Sequence, residues 1–179
     1  MNQKGTLTMT SEDKLTSPRT AATASMMLGA AGAPAPAPRS ASDVRWMDLI
    51  GEVDAAVLSG DASAMLRSWQ AASVAALLDK EWPSMVAVGD AAIRIGRATG
   101  LRVAFGAKAR QAYHVALFRS HRASSLDGVL CAAEGFAELG DADVVEQCLT
   151  IAQRLGNPEA PAAAQEKMTL LRTRLTGSR

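Results

Sequence analysis

Seven basic side chains and no acid occupy residues 91–122: Arg94, Arg97, Arg102, Lys108, Arg110, Arg119 and Arg122. The chemistry open to them is anion recognition. A guanidinium presents a planar fork of N–H donors that fits a carboxylate or phosphate with two parallel bonds. On a helix, Arg94 and Arg97 share a face because they are three apart. Lys108, Arg119 and Arg122 align at offsets of eleven and fourteen, and Arg110, His114 and His121 form a second row. The acids lie to either side. Residues 43–90 hold eight acids and three bases, and residues 123–160 hold seven acids and one base, so the net charge runs −5, +7, −6 along the chain.

Three readings of this block follow. The basic segment can attract its acidic neighbours and fix their packing order, although each pair contributes little at an exposed site. It can form a surface for acidic peptides or a C-terminal carboxylate. It can also contact the phosphates of a nucleic acid. The flanking acids oppose that third use, and only Phe105, Tyr113 and Phe118 are at hand for base stacking.

No motif for group transfer or metal chemistry stands beside these bases. Residues 96–100, Gly-Arg-Ala-Thr-Gly, lack the Lys-Ser or Lys-Thr that completes a phosphate loop, and neither a zinc-protease motif nor a nucleophile elbow is found. His114 and His121 are seven apart, whereas paired metal-binding histidines usually sit roughly three to five apart. Cys131 and Cys148 are too few and too distant for a metal knuckle or a disulfide framework, and are expected as small buried hydrophobes. Trp46, Trp69 and Trp82 are expected in the core. The expectation is therefore a protein without catalytic residues, cofactor or metal.

The elements that must carry these side chains are helices. Of the 179 residues 48% are apolar and only 4% aromatic, with much Ala and Leu, a balance that favours helix over sheet. A net charge of +1 gives no global pull toward nucleic acid or membrane. No apolar run reaches the roughly 20 residues of a membrane span. The first 25 residues are polar rather than leader-like, and the expected location is cytoplasmic. Residues 1–42, with Ala-Pro alternation at 33–38, read as a disordered tether, since each Pro disfavours helix in the residue before it.

From Ser42 onward, punctuation predicts seven helices, at about 43–58, 62–79, 83–99, 103–121, 125–139, 142–155 and from near Pro158 to Thr176. Asp61 and Ser124 are the expected N-caps of the second and fifth helices, and Pro83 suits a first turn. Leu126, Val129, Leu130, Ala133 and Phe136 form one apolar stripe, and Val145, Cys148, Leu149, Ala152 and Leu155 form another, at spacings of three and four. Helices this short must bury such stripes against neighbours. A turn recurs: Gly60-Asp61-Ala62 and Gly140-Asp141-Ala142 each follow an apolar helix end and open a new helix.

At these residues the chain resembles the tetratricopeptide repeat family. Ala132 and Ala133 stand at the small positions of the first helix, Phe136 at the aromatic one and Gly140-Asp141 at the turn. Leu149 and Ala152 fit the second helix, while Val145 replaces the usual Ala and Pro158 falls one residue late. Residues 126–158 carry the match, residues 46–79 follow it loosely through Gly60-Asp61, Met65, Trp69 and Ala72, and residues 83–122 match poorly. The resemblance implies an all-α, right-handed α-solenoid of about three hairpins with a C-terminal capping helix, over residues 43–177. It also implies a non-catalytic adaptor whose first helices line a binding groove, placing Arg94 and Arg97 there. The expected partner is a protein or acidic peptide. The alternatives are a nucleic-acid-associated regulator using the basic segment and an accessory subunit of an enzyme.

Overall fold

The structure, a computed structural model, describes residues 41–156 and 162–177. The expected tether falls outside them apart from its last two residues, as does the expected start of the last helix at Asn157-Pro158. Every regular element among the described residues is helical: α1 Ala41–Ser59, α2 Ala62–Asp79, α3 Trp82–Thr99, α4 Arg102–Arg122, α5 Leu126–Glu138, α6 Ala142–Leu155 and α7 Ala162–Gly177.

Local chemistry sets the boundaries. Asp61 is extended and its carboxylate accepts a bond from the Ala64 N–H at 2.9 Å, which satisfies one of the unpaired amides at the start of α2. Pro83 sits in the first turn of α3. Gly60 and Gly140 take φ of +74° and +78°, the left-handed backbone each hairpin turn needs and that glycine adopts without a side-chain clash. The cap of α5 lies one residue later than expected: Ser125 accepts from the Gly128 N–H at 3.1 Å, while Ser124 supplies the reversal at φ +51°.

The two Gly-Asp-Ala turns, alike in sequence, are not alike in bonding. Asp141 makes no side-chain cap on α6. Its carboxylate is held instead by Arg110, whose Nε and Nη2 donate to it at 2.6 and 2.9 Å. A charged, two-pronged donor outcompetes a neutral backbone amide.

Each helix packs on the next in sequence, and α1 also touches α3, α3 touches α5, and α5 touches α7. A single apolar core runs from Val53 on α1 to Leu171 on α7. Phe136 and Leu149, from the apolar stripes of α5 and α6, both lie in it. Its centre is Tyr113, fully buried on α4 and edge-on to Phe136 with ring centroids 5.7 Å apart. Two mid-helix glycines flank this ring. A Cβ at Gly89 would lie 2.5 Å from the ring, and one at Gly135 would overlap it as well. The glycines let α3 and α5 close on the tyrosine. Its hydroxyl donates to Asp90 at 2.6 Å. Burial raises the Asp90 carboxyl above its ordinary value, outweighing the Tyr113 bond and the Arg94 charge that lower it.

Candidate partner-binding site

α3 and α4 position all seven bases of the central block, and their environments divide them. Arg94 donates from Nε to Asp54 on α1 at 2.8 Å. Arg97 donates to Glu138 on α5 at 2.5 Å. Arg110 holds Asp141, and this hydrogen bond raises its already high pKa against the opposing effect of desolvation. The Lys108 ammonium lies 5.1 Å from the centroid of the Trp69 ring on α2, a cation–π contact.

Arg119 points its guanidinium at the end of α2. Nη1 donates to the Ala76 and Glu81 carbonyls, both at 2.9 Å, and Nη2 to the Leu77 carbonyl at 3.1 Å. These groups include orphan acceptors of a helix C-terminus, where a cation is favoured. Desolvation lowers the Arg119 pKa, with Asp79 and Glu81 opposing the shift. Arg102 and Arg122, at the two ends of α4, are exposed and have no ion-pair partner among the described residues.

Three of the seven converge. Arg97, Arg102 and Arg110 line a cleft of about 360 Å³ at the α3–α4 turn, bordered on its third side by Glu138, the last residue of α5, and its C-cap Leu139. Ile93, Val103 and Leu139 supply its apolar wall, and Gly96 at its floor lets α4 approach, since a Cβ there would lie 3.0 Å from the Phe105 Cβ. Val103 is 89% exposed, so an apolar surface stands beside the unpaired Arg102. The cleft can therefore receive a carboxylate and an aliphatic group together. Arg94, Lys108, Arg119 and Arg122 lie outside it.

The surface shared by α3, α5 and α7 has a different character. Asp90, Glu134 and Glu138 line one depression there, together with Cys131 and Arg174. Lys167 of α7 reaches Glu134 at 3.3 Å and Asp127 at 3.9 Å. Arg94 and Arg97 each meet an acid of a neighbouring odd-numbered helix instead of forming a basic strip.

The chain matches no protein-family model, no curated protein and no solved structure. Its site is thus read from its own residues. Among the described residues no group of three or more His, Cys, Asp or Glu is placed to hold a metal, and no helix is long and apolar enough to cross a membrane. His114 is exposed and rests on the Phe136 ring, centroids 4.8 Å apart. Cys148 is buried, its thiol pushed up to about 11 by desolvation, and Cys131 is half-buried. Trp46 and Trp69 are in the core, while Trp82 is only half-buried.

Sequence reasoning missed Glu138 and Leu139 as walls of the cleft and Asp90 as the partner of Tyr113. A signal for the burial of the Tyr113 ring existed, though none for its acid: isolated glycines inside helical patterns, at 89 and 135, mark close approach.

Proposed function

We propose that this protein is a non-catalytic adaptor, a tetratricopeptide-like α-solenoid of three hairpins capped by α7, that binds an acidic peptide segment of a protein partner in the Arg97–Arg102–Arg110 cleft. The observation that carries the reading is the state of Arg102: an exposed guanidinium at the mouth of an apolar-walled cleft, with no acid of the described residues paired to it. The serial contacts α1 to α3 to α5 to α7 support a stacked arrangement of hairpins. The ion pairs of Arg97 and Arg110 hold their guanidinium groups in place around the opening, so little side-chain freedom remains to be lost on binding.

The same pairs argue against nucleic acid as the ligand. Arg94, Arg97 and Arg110 are already paired with Asp54, Glu138 and Asp141, so few bases are left for the series of phosphates a nucleic acid presents, and its backbone has no aliphatic group for the wall of Ile93, Val103 and Leu139. Fluorescence anisotropy with a labelled oligoglutamate peptide ending in Leu and with a single-stranded oligonucleotide, each titrated over salt, separates the two. The peptide should bind more tightly at equal salt, and Arg102→Glu should weaken it by roughly tenfold or more, as expected for loss of a charged hydrogen bond. Tighter binding of the oligonucleotide, or an Arg102→Glu variant that binds the peptide as well as the parent does, would remove this assignment.

A further inference from the structure

At the other end of α4 lies a larger cleft, of about 580 Å³, between the α2–α3 turn and the last turns of α4. Trp82, Val115 and Phe118 give it an apolar lining, and Lys80, Arg119 and Arg122 give it a cationic rim. Glu81 is the one acid that lines it among the described residues. Phe118 is 66% exposed, and Leu77 and Leu78 at the end of α2 are exposed by 53% and 72%. Arg119 bonds the Leu77 carbonyl, so the end of α2 and this turn of α4 stand side by side. Exposed apolar side chains near one another on a surface are a feature of interaction sites.

Two further features bear on what covers it. Lys80, the left-handed C-cap of α2 at φ +64°, is exposed at the rim. Arg122 has no ion-pair partner among the described residues. Arg119 is committed to the α2 carbonyls and holds the wall of the cleft in position.

We propose that this cleft is a second docking surface, and that its occupant is an acidic amphipathic segment of a protein partner. One bulky apolar side chain of that segment enters between Trp82, Val115 and Phe118, and its carboxylates meet Lys80 and Arg122. The charge of the rim selects the occupant: an apolar lining alone would accept any hydrophobic segment, and the cationic rim favours an acidic one. The cleft does not depend on the one at the α3–α4 turn. Arg102 and Arg122 are separated by the length of α4, about 30 Å at 1.5 Å per residue.

Peptides displayed on phage and selected on the full chain supply the probe. Acidic sequences around a bulky apolar residue should be enriched. The selected peptides, made synthetically, should change tryptophan emission in the parent and not in Trp82→Phe. Phe118→Ser and Arg122→Glu alter exposed side chains, so they should keep the helical circular dichroism of the parent yet bind these peptides at least tenfold more weakly. Arg102→Glu should leave this binding intact even if the α3–α4 cleft proves to have no ligand. Failure to enrich acidic apolar peptides, or equal affinity for the Phe118 and Arg122 variants, overturns the proposal. So does a dimer of the parent, seen by light scattering, that Phe118→Ser abolishes, because a second copy would then cover the patch. Tighter binding of an oligonucleotide than of the peptides at the same rim would overturn it as well.

Discussion

Tyr113 shows how much one side chain can demand of its surroundings. It is fully buried, two helices approach its ring through Gly89 and Gly135, and its hydroxyl requires an acceptor, which Asp90 provides. Gly135→Ala would force a methyl group into the ring. Overpacking of this kind typically costs about 1–3 kcal/mol, even though alanine is the better helix former. Urea unfolding should show that loss, and an alanine variant as stable as the parent would mean that the ring does not sit between these glycines. Asp90 adds a pH dependence. Because burial raises its folded-state pKa, the folded protein holds the proton more tightly than the unfolded chain does. Stability from this group is therefore present at low pH and declines as pH rises through the window from the ordinary carboxylate value to the raised one. Asp90→Asn keeps an acceptor for Tyr113 without titrating. The stability of the variant relative to the parent should increase as pH rises through that window, and parallel pH profiles would contradict the assignment.

At the scale of elements, the hairpins are tied by side chains about one hairpin apart in sequence. Arg94 and Asp54 are 40 residues apart, Arg97 and Glu138 are 41, and Arg119 reaches carbonyls 38 to 43 residues away. Arg119→Met keeps the bulk of the side chain and removes its donors from the end of α2. With part-exposed bonds to a charged group, a loss of about 1–2 kcal/mol is expected. Hydrogen exchange should quicken first at the C-terminal turn of α2; unchanged exchange there would exclude Arg119 as its cap. Much of this level was legible in the sequence. The limits of α6, the Gly60 and Gly140 turns and the apolar stripes of α5 and α6 follow from local signals, because caps and helical periodicity act within a few residues. The cap at Ser125 was not, since adjacent serines offer the same hydroxyl and only the backbone reversal at Ser124 decides between them. Nor was the sorting of the seven bases. Their type and their acidic flanks are visible in the sequence, but which acid each meets depends on how α3 and α4 are rotated against α1, α2 and α5. Trp82 and Phe118 illustrate the same limit: one aromatic residue reads as core and the other as a stacking candidate, and the fold places both in one exposed cleft.

Across the whole molecule, the proposed function gives the alternation of charge from −5 to +7 to −6 two uses in different residues. Arg94 pairs with Asp54 across α1 and α3, whereas Arg102 stands at a cleft mouth with no ion-pair partner among the described residues. The two uses separate in a paired experiment on Arg94→Glu and Arg102→Glu, with the melting temperature and the affinity for a labelled acidic peptide measured on the same samples. Reversing Arg94 sets like charges against each other across α1 and α3, which should lower the melting temperature modestly, because the pair is half-exposed. It should leave affinity close to that of the parent. Reversing Arg102 should leave the melting temperature unchanged and weaken the peptide by roughly tenfold or more. Peptide affinity unchanged by Arg102→Glu would show that the α3–α4 cleft is not the surface that receives the partner.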